Sequence, residues 1–199
     1  MTKEITVPIA VNNRHVHLSK EDARTIFGES HEFSLDPSPE RFLWPGHSLW
    51  KEKVTLSGPG GTIQRVSLLG PLGDKTSIEM SCGDGYHLGL NDEDVKAKKF
   101  LPGLTLTGPK GSVFVSTDSP INGRWLLLSQ SRADKNGLKD GTSVDVRVGS
   151  GSDWETTFHK VKVIISSWTD QDCWALYLDP DAAGAASAKA GDTAQVILF

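Results

Sequence analysis

Asn12-Asn13-Arg14-His15-Val16-His17-Leu18-Ser19 and Asn122-Gly123-Arg124-Trp125-Leu126-Leu127-Leu128-Ser129 are two copies of one pattern, set apart by a constant offset of 110 with Asn, Arg, Leu and Ser in matching places. Each reads as a strand end running into a helix start. In an extended strand alternate side chains share a face, so His15 and His17 point one way while Val16 enters the opposite layer. Two imidazoles on one face can converge on one metal ion. The second copy carries Trp125 and Leu127 where the first carries its histidines.

Outward from the first copy, Ile5 to Leu18 reads as a strand and Ser19 as a helix N-cap, with Asp22 three residues on in a capping-box-like arrangement. Lys20 to Phe27 then turns Ala23, Ile26 and Phe27 inward, and Gly28 stops the helix. Glu29 to Trp44, interrupted by Pro37 and Pro39, reads as a surface loop leading to a Pro45-Gly46 turn. His31 and His47 lie in or near it and read as ordinary exposed histidines, since neither has a partner at ligand spacing. Strands at Glu52 to Leu56, Thr62 to Leu68 and Thr76 to Ser81 alternate with the turns Gly58-Pro59-Gly60-Gly61 and Gly70-Pro71-Leu72-Gly73, the chemistry of an antiparallel meander or barrel.

Past the acidic Asn91 to Asp94, the basic Lys96 to Lys99 and the Pro102-Gly103 turn, Leu104 to Val113 echoes Val54 to Ile63, a repeated strand–turn–strand unit. Ser143 to Val148, Thr156 to Ser166 and Cys173 to Leu178 read as strands. Asp179 caps a small-residue helix over Asp181 to Ala190, with Pro180 at its first position and Gly191 as its stop, before a final strand at Ala194 to Phe199. The expected fold is mainly β: two similar β-barrel domains with short helices, 1–97 and 98–199.

A chain of 199 residues can bury a real core. Its 21 Lys and Arg against 25 Asp and Glu are scattered without a basic stripe, which speaks against a nucleic-acid partner. No apolar run reaches the roughly 20 residues that span a bilayer. Met1-Thr2-Lys3-Glu4 leads straight into Ile5-Thr6-Val7 with no signal-peptide core, so a cytoplasmic protein without membrane attachment is expected. Cys82 and Cys173 lack Cys-x-x-Cys partners and read as buried free thiols. Glu79, flanked by Ile78 and Met80, either meets a metal or an arginine or faces water on an edge strand.

Val7 to Ser19 with its His-x-His, Leu43 to Leu56 with its Pro-Gly turn, Leu69-Gly70-Pro71-Leu72 leading to Ile78-Glu79-Met80-Ser81, and Leu178-Asp179-Pro180-Asp181 together resemble the phosphate propanoyltransferases of the PduL type over nearly the whole chain. The resemblance implies paired β-barrels and exchange of acyl-CoA plus phosphate with acyl phosphate plus CoA at a site holding two zinc ions. It places His15, His17 and Glu79 as metal ligands; Glu79 and Arg124 are the candidate catalytic residues. The family's second histidine pair falls on Trp125 and Leu127, its late histidine on Tyr177 and its phosphate-holding arginine on Gly73. At most one zinc is therefore expected, since Trp and Leu cannot ligate and Tyr is a poor substitute for imidazole.

With Gly73 in place of a fixed cation, Lys75 and Arg124 are the candidates to meet phosphate, although a lysine binds it as a point charge rather than as a fork. Lys75 and Trp125 are assigned to CoA, the indole either stacking on its adenine or filling space vacated by an ion. The expected function is a CoA- and anion-binding relative with weak or no turnover; an active single-zinc phosphate acyltransferase and an assembly protein are the alternatives. A homo-oligomer is compatible with this reading. Family members that enter microcompartments carry an amphipathic extension, for which the few residues before Ile5 leave no room.

Overall fold

The computed structural model of the protein describes residues 3–37, 46–89, 91, 93, 103–115, 123–166 and 172–198. The expected loop over 38–44, the charged stretch 94–99 and the domain boundary at 97/98 lie outside them. The strands are β1 (Lys3–Val11), β2 (His15–His17), β3 (Ser48–Ser57), β4 (Thr62–Gly70), β5 (Ser77–Glu79), β6 (Leu104–Thr107), β7 (Ser112–Val115), β8 (Trp125–Ser129), β9 (Ser143–Val148), β10 (Thr156–Ser166), β11 (Trp174–Leu178) and β12 (Thr193–Leu198). Among the described residues they are accompanied by the short helices α1 (Lys20–Phe27), α2 (Cys82–Leu88), α3 (Gln130–Asn136) and α4 (Pro180–Ala185). No helix among the described residues is long and apolar enough to cross a membrane.

Two compact units result, one of residues 3–12 with 123–198, the other of residues 13–37 with 47–115. The grouping cuts across sequence halves: β1 joins the C-terminal strands, whereas β6 and β7 join the N-terminal ones. Strand pairing is the reason. β1 is flanked by β11 in parallel, with Ile9 opposite Leu176, and by β12 antiparallel, with Ile5 opposite Val196. It thereby closes a six-stranded barrel in the order β1-β11-β8-β10-β9-β12.

The other unit runs β5-β2-β4-β3-β6-β7, which is the barrel's order with β7 standing for β1. Here the expected second barrel is not found: among the described residues this is an open sheet. The four-residue β7 pairs with β6 but makes no ladder with β5. Each unit keeps its own core. Val16, Leu18, Leu56, Leu68, Ile78 and Leu106 sit in one, and Ile9, Leu126, Leu128, Val146, Val163 and Leu176 in the other.

Four strand-to-helix junctions organise the repeat, each with an extended N-cap whose side chain accepts from a backbone N–H three residues on: Ser19 from Asp22, Ser81 from Asp84, Ser129 from Arg132 and Asp179 from Ala182. Helix α2 is not anticipated by the sequence reading. Gly83 and Gly85 depress its propensity, and it forms on the strength of a full capping box between Ser81 and Asp84. Helix α4 is shorter than expected, ending at Ala185 because Ser187 takes a left-handed φ of 49°.

The turns Gly58-Pro59-Gly60-Gly61 and Gly108-Pro109-Lys110-Gly111 have a role beyond joining strands. The Gly60 N–H donates to the Leu88 carbonyl at 3.0 Å, and the Lys110 N–H to the Ile26 carbonyl at 3.0 Å. Each turn thus satisfies a carbonyl that the end of α2 or α1 leaves open. A Cβ on Gly58 would lie 2.3 Å from the Leu88 oxygen, and one on Gly111 2.6 Å from the Thr25 oxygen, so only glycine permits the approach. With the C-terminus of each helix held by a turn and its N-terminus by a serine, the strand ends two residues earlier are fixed. Those ends carry His17 and Glu79.

Candidate metal centre

Strand β2 lies between β4 in parallel and β5 antiparallel, and the second pairing puts His15 directly opposite Glu79. Cross-strand partners on one face approach within about 5.5 Å at Cβ, so the register alone brings the carboxylate to the imidazole. The alternation expected from His-x-His holds: Val16 is fully buried in the core, while His15, His17 and Glu79 share the other face. One donor atom from each of these three lies within 4.8 Å of the others. The His15 Nε2 stands 3.6 Å from a Glu79 carboxylate oxygen. Glu79, on the edge strand β5, thus faces an imidazole as well as solvent.

The orientation of each imidazole is set by backbone. His15 Nδ1 lies 2.8 Å from the Asn13 carbonyl, which makes it the donating nitrogen and leaves Nε2 with its lone pair outward. That Nε2 is buried and has no hydrogen-bond partner, on a residue only 3% exposed. A bare acceptor of this kind costs about 1–3 kcal/mol, a cost a cation would remove. His17 donates to the Leu69 backbone, and burial, followed by the neighbouring His15 and His47, pushes its pKa down to about 4. It is thus neutral, as a ligand must be, throughout the physiological range. Two neutral imidazoles and a carboxylate are a donor set that zinc accepts, with one tetrahedral position to spare.

His47, read from sequence as an ordinary exposed histidine, instead packs its ring edgewise on His17, with centroids 4.9 Å apart. Its neighbour in that reading, His31, stacks on Phe27 at 5.0 Å and faces Glu52 at 3.4 Å. No local spacing pointed to the His47 contact, which joins residues thirty positions apart. Arg14, unassigned by the sequence, spans from β2 to the start of α2, its Nε donating to Asp84 at 2.8 Å and its Nη2 lying 2.7 Å from the second oxygen. This charge-assisted pair ties the residue just before β2, the strand of His15 and His17, to the helix that follows β5, the strand of Glu79.

The other expected site residues lie on other elements than β2 and β5. Lys75 lies exposed in a bend before β5, which begins only at Ser77, so the regular strand that would have put it on one face with Gly73 does not exist. Arg124, Trp125 and Tyr177 belong to the barrel unit. Arg124 is exposed, with its guanidinium 5.1 Å above the Phe158 ring. The barrel repeats the junction of the metal face. β8 lies between β10 in parallel and β11 antiparallel, and Trp125 stands opposite Tyr177 as His15 stands opposite Glu79. On this face Trp125 and Ile164 pack on Leu127, Tyr177, Ala10, Cys173 and Ala175, an apolar cluster in place of a donor set.

Burial, then the nearby Cys173, pushes the Tyr177 phenol up to about 12. Its folded pKa lies above the unfolded value near 10, so the folded state holds this proton longer. The associated stability is present below pH 10 and disappears as pH rises through about 12. A phenolate signal at 295 nm, taken as wild type minus Tyr177→Phe, is expected to rise only near pH 12 or with unfolding. A transition at or below pH 10 in the folded protein contradicts the buried neutral phenol.

Residues 8–189 match the sequence profile of phosphate propanoyltransferases. Among curated proteins, the phosphate propanoyltransferase of Thermotoga maritima is 34% identical over 201 residues, covering 100% of this chain and 92% of the relative. That of Rhodopseudomonas palustris is 32% identical over 192 residues, covering 96% and 81%. That of Rhodobacter capsulatus is 38% identical over 149 residues, covering 74% and 68%. With a profile match that takes in every junction described above and relatives this similar along nearly the full length, the chain belongs to the phosphate propanoyltransferase family.

Proposed function

We propose that this chain binds a single zinc through His15, His17 and Glu79, together with CoA or acyl-CoA and phosphate, in the cytoplasm, and that its phosphate acyltransfer is weak or absent. The observation that carries the reading is the pairing of Trp125 with Tyr177 in the register that His15 shares with Glu79. Where the repeat calls for a second donor set, the chain supplies an indole, a phenol and Leu127. When bound, zinc supplies a Lewis acid for the thioester carbonyl.

The chain's own part is to hold the reactants. In the exchange a phosphate oxygen attacks the acyl carbon, the C–S bond breaks, and the thiolate of CoA leaves. Glu79 fixes the metal face, Arg124 and Lys75 are assigned to phosphate, and Trp125 and Lys75 to CoA. None of the cations is an arginine at position 73, where the relatives' pattern implies the phosphate clamp. A Cβ on Gly73 meets nothing nearer than 3.5 Å, so a side chain there is sterically admitted.

Zinc content of the purified protein and thiol release from propanoyl-CoA plus phosphate test the reading together. About one zinc per chain, measurable CoA binding and turnover far below the ordinary enzyme median of about 10 per second are expected. Gly73→Arg should raise phosphate affinity and thiol release. Two zinc ions per chain, or wild-type turnover near that median abolished by His15→Ala, would overturn it, the latter in favour of an active single-zinc transferase. Absence of both zinc and CoA binding would leave the assembly role.

A further inference from the structure

We propose that His47 is a fourth protein donor at the metal centre, so that zinc held there is enclosed by three imidazoles and one carboxylate. The inference builds on the reading that His15, His17 and Glu79 bind zinc, and it concerns what occupies the remaining position. Three observations converge on His47.

The first is spacing. Zn–N bonds of about 2.0–2.1 Å and tetrahedral angles place the centres of two imidazoles on one zinc about 5 Å apart. The His15 and His17 rings are 5.0 Å apart at 84°, and the His17 and His47 rings 4.9 Å apart at 65°. Both separations are those of rings that share an ion, and both are edge-on contacts with no stacking overlap.

The second is an orphaned atom. His47 Nδ1 is buried with no hydrogen-bond partner, as is His15 Nε2. Side-chain nitrogens buried without partners are uncommon and costly. Here the two belong to imidazoles that both touch His17.

The third is placement: His47 sits immediately before β3, whose ladder with β4 begins at Ser48 opposite Gly70. Its backbone is thus anchored to the sheet that carries β2.

The chemical consequence is a closed site. Zinc with three protein ligands and an exchangeable position is the usual catalytic arrangement, whereas four protein ligands mark structural sites. A His47 ligand would add to the lost second donor set a reason for slow turnover.

X-ray absorption of the zinc-loaded wild-type protein should show three imidazoles and one carboxylate oxygen. Cobalt(II) in place of zinc should give the intense visible bands of a four-coordinate tetrahedral site. His47→Gln and His47→Ala should weaken zinc binding about 10- to 100-fold in chelator competition and dim those bands. If the wild type binds one zinc with two imidazoles and a water, and the His47 variants bind equally well, His47 is no ligand while the triad stands. If the wild type takes up no zinc at all, the metal reading itself falls and this inference with it. Should the variants fail to fold, the imidazole count of the wild type alone decides.

Discussion

Replacing His15 by alanine will weaken zinc binding by at least about a hundredfold and abolish the rise in melting temperature that zinc gives the wild type. The imidazole is buried, oriented by the Asn13 carbonyl, and presents a nitrogen without a hydrogen-bond partner toward Glu79. Structural zinc sites contribute about 10–16 kcal/mol through four ligands. An equal share per ligand is about 3 kcal/mol, and 1.4 kcal/mol is tenfold, so loss of a central ligand spans two decades or more. A ligand that binds only the folded state stabilises it by about 2.7 kcal/mol at a hundred times its Kd, and that increment should vanish in the variant.

Glu79→Gln keeps an oxygen donor and loses the charge, so its deficit should be smaller than that of His15→Ala. The metal-free proteins should differ less, because His15→Ala removes an unsatisfied nitrogen along with the packing of the ring. Isothermal titration with zinc and thermal melts with and without zinc measure both effects. Equal zinc affinity in wild type and His15→Ala would show that the ion is held elsewhere.

How much of this centre could be read from sequence follows from the range of the interactions involved. His15 and His17 were legible because a period of two is local to one strand. Helix α1 was legible in full because Ser19, Asp22 and Gly28 are all within ten residues. Glu79 is ambiguous in sequence because only the β2–β5 register sets it opposite His15. The contact of His47 with His17 is likewise invisible to any spacing rule. Lys75 was placed by assuming an extended strand where the chain bends. The Gly-Pro-x-Gly turns were recognised as turns, but not as the caps of two helix ends, since those helices lie far away in sequence. Sequence order groups strand β1 with its neighbours, whereas β1 pairs with β11, Ile9 standing opposite Leu176.

Removal of residues 1–11 will therefore unfold the C-terminal barrel, and not the sheet that follows those residues in sequence. β1 carries Val7 and Ile9, both fully buried. It pairs with both β11 and β12. Burying each of these two side chains is worth about 1.5–3 kcal/mol, and their loss exposes Leu176 and Val196 on the two flanking strands. The unpaired edges of β11 and β12 add an aggregation hazard. A total above about 5 kcal/mol is comparable with the whole stability of a domain.

Deletion of 1–11 should abolish hydrogen-exchange protection at Leu126, Val163 and Val196 while leaving slow amides at Leu56, Leu68 and Leu106. The single replacement Ile9→Ala should cost about 2–5 kcal/mol in the same barrel residues. A peptide spanning 1–12, added to a fragment that begins at 123, should restore cooperative melting, whereas one spanning 103–115 should not. Protection lost first from the β2–β4–β3 sheet, or a fragment from 123 onward that melts cooperatively by itself, would place β1 with its sequence neighbours and refute the exchange of strands between the two halves.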